Sequence, residues 1–351
     1  MFVIGVDPHK GSHTATALSS TEEVIAELRV DADTNQLVRL LEWAEPFSPR
    51  RWAVEGAGGT GALLARQLVA AGQEVVDVAP TLSARVRLLD RGRSAKTDSH
   101  DARATAIVAL RHANLRRVVV EDHDAVLRLL ADRHHDLVAQ RTRVVCRLHA
   151  LLVQLREGGA TKGLSADRAA QVLRRIRPTG PADAERKRQC TEHLNELRRL
   201  DAQLVELRKR TVEAVAASAT TVDEVHGVGP LMAAVIVGHT GGVGRFPTSG
   251  HFARFNGTAP IDASSGEVKR HRLNPRGNRQ LNHALHVAAV TQVAHDTAGR
   301  AFYLRKIAEK KTRREALRAL KRRISDAVYH QLVADAERGI GRTSRDDSKA
   351  A

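Results

Sequence analysis

The sequence predicts an α/β domain at the amino end of the chain, followed by two mainly helical regions. Short, almost wholly apolar runs alternate with helix-like segments over residues 1–112, which is typical of a buried sheet covered by helices. Leucines then recur at heptad spacing between residues 121 and 217. Beyond residue 218, glycine-rich turns separate apolar and basic helical stretches. These shifts predict domains at 1–115, 116–217 and 218–335, with a disordered polar tail over 336–351.

The elements of the first domain follow a recognisable order. The run FVIGVD (2–7) indicates a buried strand, and TATALSS (14–20) with EVIAELRV (23–30) predicts antiparallel hairpins. The elements predicted after them are a helix from about Thr34 to Ala44, a strand at 51–55, a helix that Gly72 ends, and a strand at 74–79 with more helix beyond it. Three strands, a helix, a strand, a helix and a strand are the element order of a ribonuclease-H-like fold.

The middle region has the pattern of a helical hairpin or coiled coil. Its apolar positions recur every seven residues in the first half and at three-four-three spacing in the second, namely Leu130, Leu137, Val144 and Leu151, then Leu197, Leu200, Leu204 and Leu207. The connection contains the helix-breaking stretches EGGATKG and RPTGPAD. The spacing suits either packing within one chain or assembly between chains.

The charge of the chain favours a nucleic-acid partner. Among 351 residues, 56 Lys and Arg exceed 40 Asp and Glu, so the formal net charge is +16. Such a surplus attracts polyanions, although it does not distinguish DNA from RNA. Aromatic residues make up only 3%, which disfavours a base-stacking platform. Two cysteines exclude a disulfide scaffold and a four-cysteine zinc site, and they suit a reducing bacterial cytoplasm. No apolar run has the length of a membrane span, and MFVIGVDPHK does not have the pattern of a signal peptide.

Four acidic residues occupy positions that a ribonuclease-H-like sheet would bring together. Asp7 and Glu55 end the first and fourth strands, which are neighbours in that fold, while Asp98 and Asp101 share one face at the start of a helix. Four converging carboxylates repel one another unless cations neutralise them, and oxygen ligands suit Mg²⁺ or Mn²⁺. Two such ions can support phosphoryl transfer. Taken singly, each acid could also be a turn residue or a helix-dipole partner.

The glycine-rich segment GAGGTG (56–61) gives only a weak phosphate-loop signal. It lacks the GK[ST] ending and the complete dinucleotide-binding pattern. Close packing of a helix on the sheet, or close approach of a substrate backbone, explains its composition as well.

Several motifs together resemble the DEDD transposases of the insertion-sequence 110 type. The acids Asp7 and Glu55 with KTDSHDA (96–102) resemble the amino-terminal motif of that family. HGVGPLMAAVI resembles its helix-hairpin-helix-like segment, and FARFNGTAPIDASSG with NPRGNRQLNHAL resembles its carboxyl-terminal transposase domain. The resemblance covers nearly the whole chain in the expected order, with the helical region between the two halves.

The resemblance implies a function and a set of site residues. Members of the family combine a RuvC-like metal site with a nucleophilic serine, and a structured bridge RNA guides them. Carried over, the acids are Asp7, Glu55, Asp98 and Asp101, which would bind Mg²⁺ or Mn²⁺. Pro260 and Gly266 set the register that selects Ser265 as the nucleophile, whereas a shift of one residue would select Ser264. A metal held by the acids could lower the pKa of the serine hydroxyl, which is otherwise a poor nucleophile.

The expected partners are donor DNA, target DNA, a guide RNA and further copies of the chain, as a homodimer or homotetramer. The basic residues expected to contact nucleic acid are Lys269, Arg270, Arg272, Arg276 and Arg279. Two other functions stay open from the residues alone. One is a RuvC-like structure-selective nuclease that uses water as nucleophile, and the other is a nucleic-acid-binding protein without catalysis.

Overall fold

The computed structural model describes residues 1–89, 97–262, 271–272, 274 and 277–347. The chain forms two compact units, Met1–Glu121 and Asp122–Ala351, and each is described by itself. No helix in these described ranges is long and apolar enough to cross a membrane.

In its described residues, the first unit contains a mixed sheet and four helices. Its strands are β1 (Phe2–Pro8), β2 (Ser12–Leu18), β3 (Val24–Asp31), β4 (Arg50–Glu55), β5 (Val75–Val78) and the short β6 (Arg116–Arg117). Its helices are α1 (Gln36–Ala44), α2 (Ala62–Ala70), α3 (Pro80–Leu89) and α4 (Asp98–Arg111). The strand order across the sheet is β3-β2-β1-β4-β5-β6. Strand β1 pairs antiparallel with β2 and parallel with β4, so the ribonuclease-H-like prediction is confirmed.

Strand β1 is buried on both faces of the sheet. Ile4 and Val6 belong to a core shared with Trp52, whereas Val3 belongs to a second core shared with Ile107 of α4. A strand covered on both sides must be apolar throughout, which is why FVIGV shows no alternation of polar residues.

Gly5 lets helix α4 lie with its backbone directly against β1. A Cβ atom at Gly5 would come within 2.1 Å of the carbonyl oxygen of Ala102 and 2.6 Å of the nitrogen of Ala106. Real side chains do not tolerate such distances, so only glycine permits this separation. On the helix side of this contact, the small buried residues Ala102 and Ala106 allow the same close approach.

The second unit is almost wholly helical. Its helices are α5 (His123–Leu155), α6 (Ala166–Arg175), α7 (Pro181–Ala217), α8 (Pro230–Thr240), α9 (Ser249–Phe255), α10 (Arg279–Ala294), α11 (Ala298–Ala308) and α12 (Arg313–Asp347). A two-stranded antiparallel ribbon is formed by β7 (Ile261–Asp262) and β8 (His271–Arg272). Helix α12 extends into the stretch for which the sequence predicts a disordered tail. Residues 348–351 lie outside the described part of the chain.

Helices α5 and α7 pack on each other within the chain. The heptad residues Leu130, Leu137 and Val144 form one buried cluster with Leu197, Leu200 and Leu207. Arg141 Nε lies 2.6 Å from Asp201 Oδ1, and Arg186 Nε donates to Gln154 Oε1 at 3.1 Å. From Arg141 to Gln154 along α5, the contacting residue of α7 moves back from Asp201 to Arg186, so the two helices are antiparallel. The heptad pattern is therefore satisfied inside one chain and gives no separate support for assembly.

A second core in this unit joins α8, α9, α10 and α12. Helix α8 is apolar from Pro230 to Gly238, and Ala233, Ala234 and Ile236 are fully buried. Phe252 of α9 and Leu281 of α10 pack in the same cluster as Ile324 and Val328 of α12. This core fixes how α9 and α10 approach each other.

The packing of α5 on α7 predicts that two adjacent leucines contribute very differently to the free energy of unfolding. Leu130 is 6% exposed, while Leu129 is 71% exposed on the same helix. We expect Leu130→Ala to lower the free energy of unfolding by about 2–5 kcal/mol, because it leaves a cavity in the α5–α7 interface. Leu129→Ala should change it by less than about 0.5 kcal/mol. Urea titrations followed by circular dichroism measure both, and equal losses would contradict the packing described.

The contact of α4 with β1 predicts that Gly5→Ala is destabilising. The added methyl group would push against the backbone of α4, at a cost of about 1–3 kcal/mol or more. Gly11→Ala is the matched control, since a Cβ there meets nothing within 4 Å. Thermal unfolding of both variants tests this, and a Gly5→Ala variant as stable as Gly11→Ala would show that α4 can shift freely.

Candidate active site

The four predicted acids lie at one edge of the first unit. Val6 pairs with Val54 on the parallel neighbour strand, and Asp7 and Glu55 are the next residues on the two strands. Asp98 and Asp101 stand in the first turn of α4, which Thr97 caps by accepting a hydrogen bond from His100 N at 3.4 Å. The contact at Gly5 brings this first turn to the end of β1. The sheet and one helix therefore place the four carboxyl groups in one neighbourhood.

The carboxyl groups influence one another electrostatically. Asp7 is 7% exposed and Asp101 is 5% exposed. Burial raises the pKa of Asp7; His9 lowers it, while the charges of Asp101 and Asp98 raise it further. Burial also raises the pKa of Glu55, and the charge of Asp7 adds to that effect. The cluster therefore carries a repulsion that a cation would relieve.

Basic side chains partly offset this repulsion. His9 Nε2 lies 3.1 Å from Asp7 Oδ2 and 3.5 Å from Asp98 Oδ1. Arg87 NH1 of α3 lies 3.0 Å from Asp101 Oδ1. Arg29 NH1 of β3 lies 3.7 Å from Asp98 Oδ2. Sequence reasoning missed the two arginines, because nothing in their local pattern distinguishes them from the other arginines of the chain.

Thr105, one turn beyond Asp101, holds Glu55 in place. Its hydroxyl lies 3.2 Å from Glu55 Oε2 and 2.9 Å from the carbonyl oxygen of Asp101. A hydroxyl has one proton, so it donates to one of these oxygens at a time. The hydrogen bond from Thr105 lowers the pKa of Glu55 against the stronger effect of burial. Thr105 thereby links the end of β4 to α4.

The residues fit a divalent cation. Among the described residues, Asp7 Oδ2 and Asp101 Oδ1 are buried oxygens that lie 3.1 Å from His9 Nε2 and 3.0 Å from Arg87 NH1, in ion pairs without good hydrogen-bond geometry. One ligand atom each from Asp7, His9 and Asp98 lies within 4.8 Å of the others. The carboxylates of Glu55 and Asp101 add further oxygens close to Asp7, and an oxygen-rich environment suits Mg²⁺ or Mn²⁺. A buried carboxylate oxygen whose hydrogen bonding is incomplete is costly in a protein interior, and a bound cation would complete its coordination.

The GAGGTG segment serves helix packing. A Cβ atom at Gly61 would come within 2.6 Å of Val54 Cγ1 and 2.8 Å of Pro8 Cγ. Gly61 therefore lets the start of α2 lie against the ends of β1 and β4. Of the two interpretations drawn from the sequence, the geometry supports close packing of a helix on the sheet.

The other predicted site residues fall in the second unit. Ser264, Ser265, Lys269, Arg270 and Arg276 lie outside the described residues. Arg272 belongs to β8, where only its backbone is described, and Arg279 begins α10. The serine pair thus belongs to the stretch of sequence between β7 and β8, and its predicted role stays a prediction.

Comparisons with known proteins identify relatives along nearly the whole chain. Residues 4–157 match a family described as a DEDD transposase of the IS110 type, and residues 219–304 match the transposase IS116/IS110/IS902 family. The chain is 26% identical to the IS116 insertion element 44.8 kDa protein of Streptomyces clavuligerus, over 94% of both chains. It is 27% identical to the IS110 insertion element 43.6 kDa protein of Streptomyces coelicolor, over 94% of this chain and 93% of that one.

Among solved structures, the chain is similar to RuvC from Thermus thermophilus in complex with a Holliday junction. The alignment covers 34% of this chain and 99% of RuvC, with 16% identity and a TM-score of 0.28. A second RuvC structure gives 17% identity and a TM-score of 0.27. The ribonuclease-H-like assignment rests on the strand order and register of the sheet rather than on these scores.

The raised pKa of Asp7 predicts how stability depends on pH without divalent cations. A carboxyl group whose pKa is raised by folding favours the folded state while protonated, and that contribution is lost as pH rises through the raised pKa. Asp7→Asn cannot ionise. We expect the variant to gain stability relative to wild type as pH increases from about 4 to 7, because only wild type then carries a charge that burial disfavours.

Urea unfolding in chelator at several pH values measures this difference. At neutral pH, added Mg²⁺ should stabilise wild type more than Asp7→Asn. A difference between the two proteins that stays constant across pH, together with equal responses to Mg²⁺, would show that Asp7 is not part of a repulsive, cation-binding cluster.

Proposed function

Because this chain is a member of the IS110 family of transposases, we propose that it cuts and rejoins DNA strands to move an insertion element, by metal-dependent phosphoryl transfer. The proposal is supported by the position of Asp7 and Glu55 at neighbouring strand ends, beside the first turn of α4 that carries Asp98 and Asp101. The net charge of +16 supports a nucleic-acid substrate. We place this activity in the bacterial cytoplasm.

The four acids would hold Mg²⁺, or Mn²⁺ in its place. Such an ion, when bound, supplies positive charge that stabilises the phosphoryl group in the transition state. The residues of the chain orient the ligands. Thr105 fixes Glu55 by its hydroxyl group, and Arg87 holds the buried oxygen of Asp101 from the side of α3. Rigid support of this kind keeps catalytic groups within the narrow tolerance that phosphoryl transfer requires.

We propose Ser265 as the nucleophile, with Ser264 as the alternative register. Its Oγ would attack a DNA phosphorus, so that an Oγ–P bond forms and the bond from phosphorus to a DNA oxygen breaks. The serine gives up one proton and the departing DNA hydroxyl takes one up. One phosphoester replaces another, so the energy of the bond is kept for rejoining. Lys269, Arg270, Arg272, Arg276 and Arg279 would contact the DNA or RNA backbone.

A structured guide RNA and a multimeric complex complete the proposal. Both follow from the resemblance to the IS110 family, as does the homodimer or homotetramer in which acids and serine come from different subunits. A guide RNA would specify the donor and target DNA sequences.

A covalent-adduct assay tests the proposal. Purified protein is incubated with the RNA of its element, both DNAs and Mg²⁺, and a denaturing gel resolves protein–DNA adducts. We expect wild type and Ser264→Ala to form the adduct, and Ser265→Ala and Asp101→Asn to lose at least 99% of it. Electrophoretic mobility shifts should show that all four proteins still bind nucleic acid.

Cleavage that requires Asp101 but proceeds without either serine would indicate a structure-selective nuclease that uses water. Activity that survives the loss of Asp101 would contradict the carboxylate site itself. Nucleic-acid binding with no cleavage under any of these conditions would favour a binding protein without catalysis.

A further inference from the structure

Lys321 of α12 is a buried cation that the proposed chemistry does not use. The residue is 9% exposed, and its neighbours Leu320 and Ile324 belong to the apolar core of the second unit. Its Nζ donates a hydrogen bond to Asn282 Oδ1 at 2.6 Å. Burial lowers the pKa of Lys321, and no carboxylate in the described ranges forms an ion pair with it. A buried ammonium group that pairs with a neutral amide destabilises a core, so its presence calls for another explanation.

Lys321 belongs to a polar cluster of four residues, Asn256, Asn282, Lys321 and Ser325, which we name the amide clamp. Asn282 Nδ2 donates to the carbonyl oxygen of Asn256 at 2.9 Å, and Asn256 Nδ2 donates to Ser325 Oγ at 2.8 Å. Lys321 and Ser325 are four residues apart and share one face of α12. An ammonium group only donates and a carbonyl only accepts, so the orientation of the Asn282 amide is determined.

The amide clamp lies where the segment of residues 257–278 begins and ends. Asn256 follows α9, and Asn282 stands in the first turn of α10, so residues 257–278 leave from the clamp and return to it. Asn278 N donates to the carbonyl oxygen of Phe255 at 2.7 Å. A Cβ atom at Gly277 would lie 2.4 Å from the Cα of Gly257. The beginning and the end of the segment are therefore in backbone contact.

The clamp also fixes the first turn of that segment. Asn256 Oδ1 accepts hydrogen bonds from the nitrogen of Thr258 at 3.0 Å and from its hydroxyl at 2.7 Å. The ribbon of β7 and β8 lies within the segment, and the sequence between those strands carries Ser264 and Ser265. Both ends of the serine-bearing segment are thus attached, through two asparagines, to α12.

We propose that Lys321 is a positioning residue for the nucleophilic segment, which it acts on through Asn282 and Asn256. The inference rests on the proposed function, since it assigns a role in serine attack. A nucleophile must be held close to the position of reaction, and small displacements reduce the rate strongly. The buried charge fixes the amide of Asn282 more firmly than an apolar side chain would, because hydrogen bonds to charged donors are shorter and stronger.

The test compares Lys321→Met with Arg323→Met. Methionine keeps much of the volume of lysine but has no charge and no donor, and the exposed Arg323 provides a control that removes one positive charge from the same helix. We expect Lys321→Met to be as stable as wild type or more stable, since a buried charge is removed. Its rate of adduct formation at saturating DNA should fall at least tenfold, while its Kd for nucleic acid stays within twofold of that of Arg323→Met.

Hydrogen–deuterium exchange measures the positioning effect independently of the chemistry. In Lys321→Met, peptides covering residues 254–262 and 277–282 should exchange at least tenfold faster than in Arg323→Met, while peptides from α5 and α7 remain unchanged. Ser325→Ala removes the acceptor of the Asn256 amide by a smaller change, and it should accelerate exchange in residues 254–262. This second variant keeps the inference testable if Lys321→Met does not fold.

The outcomes separate the inference from the proposed function. Unchanged exchange in both variants, or an adduct rate within twofold of wild type, would overturn the role of Lys321. A parallel loss of stability and activity, with faster exchange throughout the second unit, would show a merely structural residue and would also overturn it. If wild type forms no serine adduct, the proposed nucleophile fails, and the exchange data still decide whether Lys321 holds the segment.

Discussion

The approach of α4 to β1 at Gly5 is the constraint on which the candidate site depends. At this point a helix backbone touches a strand backbone, and no side chain larger than hydrogen fits between them. The contact lies two residues before Asp7 on the strand and involves Ala102, next to Asp101, on the helix. It therefore sets the distance between the carboxylates of the sheet and those of the helix. Thr105 strengthens the same junction through its hydroxyl.

The basic side chains of the site only partly neutralise the negative charge of its carboxylates. Burial raises the pKa of both Asp7 and Glu55, and His9, Arg29 and Arg87 each approach one or two of the acids without completing their hydrogen bonding. A site evolved for stability alone would pair these oxygens fully. The incomplete pairing is typical of functional sites, where the missing partner is a ligand. A cation would lower the repulsion and satisfy the buried oxygens at once.

The second unit uses buried polar groups in a comparable way. Its core is formed by apolar faces of α8, α9, α10 and α12, yet Lys321 and Ser325 on α12 face two asparagines rather than leucines. The hydrogen bonds of these asparagines can be made in one orientation only, so they specify one arrangement of the chain ends near β7 and β8. Apolar packing would give equal or greater stability but a less definite geometry.

The sequence by itself determined the order of elements in the first unit, the heptad positions of α5 and α7, and the positions of four acids at two strand ends and one helix start. Each of these follows from local periodicity or from the position of a residue at the end of a strand, which the chain encodes over a few residues. Only the tertiary structure decided that α4 touches β1 at Gly5, that Arg29 and Arg87 reach the acids, and that Lys321 is buried against Asn282. Each of those contacts joins residues that belong to different secondary-structure elements. Tertiary contacts of this kind depend on how the elements pack. Local sequence patterns do not indicate which arginine or lysine will be buried by that packing.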